Sequence, residues 1–130
     1  MKKIVSPRLY LFLFLITFIV NGCTKLASDF DSNSPVEEII KNANEAFDKR
    51  DYTRAAEIYL KVEEFYPYSD SSREALVNAI NSYHAGSKFN ELRETSKKYL
   101  SLYPKDKNAP FAKYMVGMSY FEQIIDVERD

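Results

Sequence analysis

The stretch DYTRAAEIYLKVEEFYP, residues Asp51–Pro67, decides the fold, because a related stretch, KFNELRETSKKYLSLYP, follows at Lys88–Pro104. The two stretches align at a constant offset of 37 residues. The aligned pairs are Tyr52 with Phe89, Tyr59 with Ser96, Val62 with Tyr99, and Pro67 with Pro104. A fixed offset of this size is typical of stacked helix-turn-helix repeats. The sequence therefore predicts an all-α repeat protein.

Five amphipathic helices are predicted after residue 34, and no segment alternates with a period of two over the length of a strand. The helices cover about residues 35–49, 53–66, 71–85, 90–103 and 109 onward. Ser34 is the predicted N-cap of the first helix, with Glu37 completing a capping box. Asp70 and Asn108 are the predicted caps of the third and fifth helices. Gly86 is predicted to end the third helix in the left-handed conformation.

Small, aromatic and proline residues recur where paired helices must approach closely. The pattern resembles the tetratricopeptide repeat and predicts a solenoid of about two and a half repeats, the alternative being another antiparallel helical bundle. The matching residues are Ala43, Tyr52, Ala55, Tyr59 and Pro67 in the first repeat, Tyr83, Phe89, Tyr99 and Pro104 in the second, and Gly117 and Tyr120 in the third. Leu92 and Ser96 depart from the small and aromatic preferences.

The first 22 residues have the build of a secretory signal peptide. Lys2, Lys3 and Arg8 precede the apolar run Leu9–Val20, which is short for a membrane-spanning helix. The sequence therefore predicts an exported protein whose folded domain covers residues 35–130.

Cys23 is the only cysteine, so it has neither a disulfide partner within the chain nor the companions of a metal site. A buried thiol is the plain alternative. Position favours another interpretation, because Val20-Asn21-Gly22-Cys23 directly after an apolar run resembles the bacterial lipobox. That resemblance implies cleavage before Cys23 and its acylation, and Thr24 implies sorting to the outer membrane. Residues 23–34 are then the lipidated cysteine and a flexible tether.

Removal of the leader leaves 15 Lys and Arg against 19 Asp and Glu, a net charge of −4. With no basic stripe to hold a phosphate backbone, we do not expect nucleic-acid binding. His84 is the only histidine and has no nucleophile motif beside it, so we expect neither a catalytic nor a metal-binding role for it. The sequence predicts a protein-binding chain without a cofactor, and not an enzyme.

Three stretches carry a more specific resemblance: Tyr66-Pro67-Tyr68-Ser69, Leu102-Tyr103-Pro104, and YFEQIIDVERD at Tyr120–Asp130. Together with the lipobox and the repeats, they resemble the outer-membrane β-barrel assembly lipoprotein family, called the BamD family. The resemblance implies a lipid-anchored scaffold on the periplasmic face of the outer membrane. Its implied partners are the central barrel subunit, the other subunits of the assembly complex, and unfolded barrel precursors. The alternative is another repeat-bearing envelope lipoprotein that coordinates cell-wall and outer-membrane processes.

Members of that family carry more repeats, and this sequence stops inside the third. What is present resembles their amino-terminal half, associated with recognition of precursors. The half associated with docking to the central barrel subunit is expected to be missing. The fifth helix then lacks a partner, so we expect exposure around Val116, Tyr120 and Ile124, and marginal stability or self-association of residues 24–130.

The repeat offset also predicts a concave peptide-binding groove lined by the first helix of each repeat. Its three rows are Ile40, Val77 and Tyr114; Asn44, Asn81 and Met118; and Phe47, His84 and Phe121. Asparagine amides can bond to the backbone of an extended peptide while apolar rows accept its side chains. The alternative is that Phe47 and Phe121 only seal the superhelix.

The last residues offer a second candidate site, formed by Glu122, Asp126, Arg129 and Asp130. With Glu128 they could be read as an acidic cluster for metal or acid–base chemistry. Asp126 and Arg129 lie three residues apart on one predicted helix, so we expect them to pair with each other. The family resemblance implies that the four residues form an interaction or packing motif.

Overall fold

The computed structural model describes residues 30–128, with side chains as far as Ile125, and these residues form five α-helices. They are α1 (Val36–Asp48), α2 (Tyr52–Phe65), α3 (Asp70–Ala85), α4 (Phe89–Leu102) and α5 (Ala109–Glu128). Within the described range there is no strand, and the predicted all-α fold is confirmed. None of the five helices combines the length and the apolar character that crossing a membrane requires.

The core lies between consecutive helices, because each helix packs mainly against its neighbours along the chain. Ala43, Ala55, Ala79 and Ala112 are fully buried, as the repeat pattern predicts. Side chains at the contact set the distance between two packed helices, and alanine permits a close approach. The largest fully buried side chains around them are Tyr99, Ile39, Leu76, Ile80, Leu92 and Val62.

The second half of α5 has no covering helix among the described residues. Ile80 of α3 is fully buried, whereas Gly117, its counterpart one repeat later, faces open space. Tyr120 and Ile124 are 50% and 60% exposed, which confirms two of the three predicted exposures. Val116 is half-buried. This face of α5 therefore remains available for packing.

Arg93 of α4 contacts the exposed half of α5. Its guanidinium carbon lies 4.5 Å from the ring centroid of Tyr120, a cation–π contact. Its Nη1 donates to Oε1 of Gln123 at 3.3 Å, and its Nη2 donates to Oδ1 of Asn90 at 2.6 Å. Sequence periodicity gives no sign of these contacts, which depend on the packing of two helices.

The turns that follow α1 and α3 show the same repeat in their backbone geometry. Arg50 and Ser87, 37 residues apart, both have positive φ, at 62° and 55°. After each of them, the next N–H donates to the carbonyl five residues earlier at 2.9 Å. A left-handed residue with this bond is the Schellman ending of a helix.

Gly86 does not adopt the left-handed conformation that the sequence predicts. Its φ is −87°, and Ser87 takes the positive value instead. Glycine serves a different purpose here, because a Cβ at this position would lie 3.2 Å from the Cβ of Tyr52. Its missing side chain therefore lets the start of α2 approach the end of α3.

Two predicted N-caps are wrong by one residue. At α1 the cap position is Pro35, and the hydroxyl of Ser34 donates to Oδ1 of Asp31 at 3.2 Å, so no capping box forms. At α3 the cap is Ser69 and not Asp70; its Oγ accepts a backbone N–H of the first turn at 3.0 Å. In both places several neighbouring polar side chains could form the hydrogen bonds near the start of the helix, and sequence spacing alone does not show which of them does.

The described residues begin before α1, inside the stretch predicted as tether. Phe30 packs against the core, and residues 31–34 form a turn in which the N–H of Ser34 donates to the carbonyl of Asp31 at 3.0 Å. The hydroxyl of Tyr66 donates to the carbonyl of Ser34 at 2.6 Å. Only six residues, 24–29, therefore separate Cys23 from a side chain packed on the domain.

Asp106, in the α4–α5 loop, joins α3, α4 and α5. Its Oδ1 accepts the hydroxyl of Tyr99 at 2.5 Å and the N–H of Asn108 at 2.8 Å, and Arg73 Nε lies 3.4 Å from Oδ2. The Tyr99 hydroxyl bond, followed by the Asn108 bond, lowers the pKa of Asp106. Burial first, then the bond to Asp106, raises the pKa of Tyr99 to about 12.

The stability of the domain should fall at both pH extremes because of this pair. Asp106 contributes as a carboxylate, so its contribution is present above its ordinary pKa of 3.8 and is lost as pH falls through its lower folded pKa. Tyr99 contributes in its neutral form, so its contribution is lost as pH rises from 10 toward 12. Thermal unfolding followed by circular dichroism across pH measures both limbs.

Asp106→Asn should flatten the acidic limb of that profile, because the variant has no carboxylate to protonate. Asp48→Asn, at an exposed position at the end of α1, is the matched control and should keep the wild-type limb. Identical acidic limbs in Asp106→Asn and wild type would show that this network does not set acid stability.

Candidate peptide-binding groove

The nine residues predicted to line the groove divide into two groups in the structure. Ile40, Phe47, Val77 and Met118 are half-buried and pack against the core. His84 is also half-buried, in the last turn of α3. The exposed members are Asn44, Asn81, Tyr114 and Phe121, the last two at 61% and 57% exposure. The half-buried apolar members thus contribute to the core, whereas Tyr114 and Phe121 are exposed among the described residues.

An open recess of about 390 Å³ lies where α1, α2 and α3 meet, lined by Phe47, Tyr59, Asn78 and Asn81. The structure brings together Phe47 and Asn81 of the predicted groove and adds Tyr59 and Asn78, which the sequence argument missed. Asn78 precedes Asn81 by three residues on α3, a spacing that places both on one face of the helix. That spacing could have identified it.

Tyr59 distinguishes the two asparagines that the repeat offset treats as equivalent. Its hydroxyl donates a short hydrogen bond to Oδ1 of Asn44. Burial first, then the charge of Asp48, raises the pKa of Tyr59, so the hydroxyl remains a donor at neutral pH. The amide oxygen of Asn44 is therefore used within the domain, whereas Asn81 lies exposed at the recess.

Asn44→Ala should destabilise the domain by about 1 kcal/mol, because it leaves the hydroxyl of Tyr59 without its acceptor. Asn81→Ala, one repeat later on an equally exposed site, should change stability by less than about 0.5 kcal/mol. Urea unfolding of both variants measures the difference. Equal losses in the two variants would contradict a structural role for Asn44.

A second recess, of about 350 Å³, lies between α2 and α4 and has a different chemistry. Three acidic side chains dominate it, and Lys98 pairs with Glu63 across it. Its lining residues are Leu60, Glu63, Glu64, Glu94, Thr95 and Lys98. Substitutions in this acidic recess can therefore serve as controls, which show whether a change in peptide binding is specific to the groove.

The comparisons with known proteins agree with this all-helical architecture. Residues 32–130 match the profile of the YfiO family, described as outer membrane lipoprotein. The chain belongs to the YfiO family of outer membrane lipoproteins. No solved structure matches it significantly.

Three curated relatives of this YfiO-family chain are named outer membrane protein assembly factor BamD. The relative from Caulobacter vibrioides is 29% identical over 119 residues, which cover 89% of this chain and 39% of that protein. The relatives from Rickettsia prowazekii and Xylella fastidiosa strain 9a5c are 23% and 27% identical, over 91% and 88% of this chain. The chain spans 39% to 47% of the length of these three relatives.

Other candidate residues of this YfiO-family chain lie at or beyond the edges of the described structure. Glu122 is half-buried on α5. The side chain of Asp126, together with Arg129, Asp130 and the lipidation candidate Cys23, lies outside the described residues. Between residues 30 and 125, no three His, Cys, Asp or Glu side chains come together in a way that could hold a metal ion.

Proposed function

We propose that this chain is a lipid-anchored scaffold in the assembly of outer-membrane β-barrel proteins, which binds unfolded barrel precursors without covalent chemistry. Its family and the shared name of its curated relatives support the assembly role. The observation that carries the binding role is the recess in which Phe47, Asn78 and Asn81 meet. An aromatic side chain beside two amide side chains suits an extended segment of a precursor whose backbone has not yet paired with neighbouring strands.

The chemistry of capture follows from that lining. Each asparagine side chain offers one acceptor and two donor hydrogens, which can bond to the carbonyls and N–H groups of an extended backbone. Phe47 stacks edge-on against Tyr52, with ring centroids 5.1 Å apart, so its ring is held in position when a ligand arrives. Alternate side chains of the peptide can then pack on this ring and on Val77.

Cys23 is the proposed site of membrane attachment. Acylation of Cys23 would hold the domain at the periplasmic face of the outer membrane, where precursors arrive. Partners are then the precursors, the central barrel subunit and the other subunits of the assembly complex. Glu122, Asp126, Arg129 and Asp130 are the proposed contact motif for those subunits.

Binding of a labelled peptide from the aromatic-ended last strand of a barrel protein tests the groove. Asn78→Ala combined with Asn81→Ala should weaken peptide binding by the detergent-extracted chain about 30-fold, since two lost hydrogen bonds of about 1 kcal/mol each sum to about 2 kcal/mol. Glu64→Ala combined with Glu94→Ala, in the acidic recess, is the matched control and should stay within about twofold of wild type. Unchanged affinity in the asparagine variant, with its helical circular dichroism intact, would refute peptide binding in this groove.

A further inference from the structure

The antiparallel order of the helices brings three segments to one end of the domain, here called the loop end: residues 30–35, 66–69 and 103–108. Direct bonds join these segments. The hydroxyl of Tyr66 donates to the carbonyl of Ser34 at 2.6 Å, and Arg73, in the first turn of α3, reaches Asp106 at 3.4 Å. The loop end is therefore one fixed surface, from which the chain leads back toward Cys23.

Tyr68 lies at the tip of this surface in an unusual conformation. Its φ is 61°, in the left-handed region that a bulky residue rarely adopts, and its side chain is 77% exposed. Because the ring of Tyr68 is mostly exposed, it makes few packing contacts within the domain that could offset the cost of the backbone strain. Backbone strain is found at functional sites as well as in turns, and here the strained residue carries an exposed ring that can contact a surface outside the domain.

The α4–α5 loop beside it presents positive charge. Lys105 and Lys107 are both exposed, while the carboxylate of Asp106 between them is 13% exposed and is bonded to Tyr99 and Arg73. The loop therefore displays two ammonium groups while its own acid points inward. The α1 side of the loop end is acidic, with exposed Asp31, Glu37 and Glu38, and Asp70 pairs with Arg73.

Tyrosine and lysine at one edge suit a phospholipid surface. Tyrosine rings favour the headgroup layer, and lysines are attracted to anionic headgroups. The tether adds a geometric reason, because Phe30 lies seven residues after Cys23. That span reaches at most about 25 Å when fully extended. Helices α1 to α4 are themselves about 20–24 Å long, so a domain that stands upright with its opposite end on the membrane would need nearly the whole of that reach.

We propose that the loop end rests on the membrane surface, with Tyr68 in the headgroup layer and Lys105 and Lys107 on anionic headgroups. The orientation rests on the acylation of Cys23 under the proposed function. Phe47 lies in the last turn of α1, and Asn78 and Asn81 lie in the second half of α3, so the recess is displaced from the loop end toward the opposite end of the helices. The recess is therefore held away from the bilayer, where an incoming chain can reach it.

The sequence contains no tryptophan, so the fluorescence of a single introduced tryptophan reports on its contact with lipid. Tyr68→Trp at the loop end and Lys49→Trp at the opposite end are compared in vesicles that contain about 30 mol% phosphatidylglycerol and acyl-brominated phosphatidylcholine. Bromine should quench the Tyr68→Trp fluorescence by about half and the Lys49→Trp fluorescence by less than about a tenth. Equal quenching at the two positions, or stronger quenching at Lys49→Trp, would overturn the orientation.

Charge reversal tests the lysines separately. Adding Lys105→Glu and Lys107→Glu to Tyr68→Trp should reduce quenching about twofold in anionic vesicles and leave it unchanged in neutral ones. Lys49→Glu with Lys88→Glu, at the opposite end, is the matched control and should change neither. An unchanged value in the loop-end variant would overturn the role of the lysines.

The intact mass of the same preparation distinguishes failure of the lipid anchor from failure of the proposed orientation. An unmodified Cys23 would overturn the anchor and this orientation together. An acylated Cys23 with equal quenching at both ends would overturn the orientation alone.

Discussion

Replacing Cys23 with alanine is expected to remove the chain from the outer membrane. Alanine has no sulfur to carry a diacylglyceryl group, and each buried CH₂ of an acyl chain contributes about 0.8 kcal/mol to anchoring. The intact mass of detergent-extracted wild type should correspond to a chain that starts at an acylated Cys23. The mass of Cys23→Ala should show no acyl group and should include residues 1–22.

Ser28→Ala, in the stretch between Cys23 and the domain, is the control for that experiment. It should keep the wild-type mass change and the wild-type distribution between inner and outer membranes. If Cys23→Ala still fractionated with the outer membrane, or if wild type carried no acyl group, the anchor would be wrong.

Leu76→Ala should produce a large loss of folding stability. Leu76 is fully buried, and removing its three outer carbons leaves a cavity that costs about 3 kcal/mol. A domain of this size is stabilised by about 5–10 kcal/mol in total, so the unfolding midpoint in urea should shift strongly. Ile39, one repeat earlier, is equally buried, and Ile39→Ala should behave alike.

Ile124→Ala provides the contrast, because that side chain is 60% exposed on the uncovered face of α5. Its effect on the free energy of unfolding should stay below about 0.5 kcal/mol. If Leu76→Ala were no more destabilising than Ile124→Ala, the core described between α3 and its neighbours would be wrong.

The five helices could be predicted from the sequence because their signals are local. Apolar spacing and the closing prolines act within a few turns, and Pro67 and Pro104 each fall shortly after a helix ends. The offset of 37 residues repeats the same local pattern, which makes it easier to recognise. The fully buried alanines follow from the same repeat. Exposure of Tyr120 and Ile124 could also be predicted, because a solenoid helix needs a neighbour on each side.

Details that depend on competition between neighbouring groups could not be predicted. Ser34 is a good cap by type, yet Asp31 binds its hydroxyl. Gly86 is the usual left-handed residue by type, yet the close approach of Tyr52 explains why glycine stands there. In each case an interaction with a residue outside the local motif decides the outcome.

The offset of 37 residues predicts rows of candidate groove residues, and two of them, Phe47 and Asn81, line the same recess. The offset gives no sign that Asn44 and Asn81 differ, because Tyr59, which donates to Asn44, comes from α2 and lies outside the first-helix rows. The contacts of Arg93 with α5 were missed for a similar reason, since they depend on packing between helices.

The most direct test of the proposed function is site-specific photocrosslinking in the living envelope. A photoreactive amino acid replaces Asn81 in the groove or, as the control, Glu64 in the acidic recess. We expect adducts at Asn81 to contain outer-membrane barrel precursors, identified by mass spectrometry, and adducts at Glu64 to contain none. No barrel protein at Asn81, or the same barrel proteins at both positions, would contradict it.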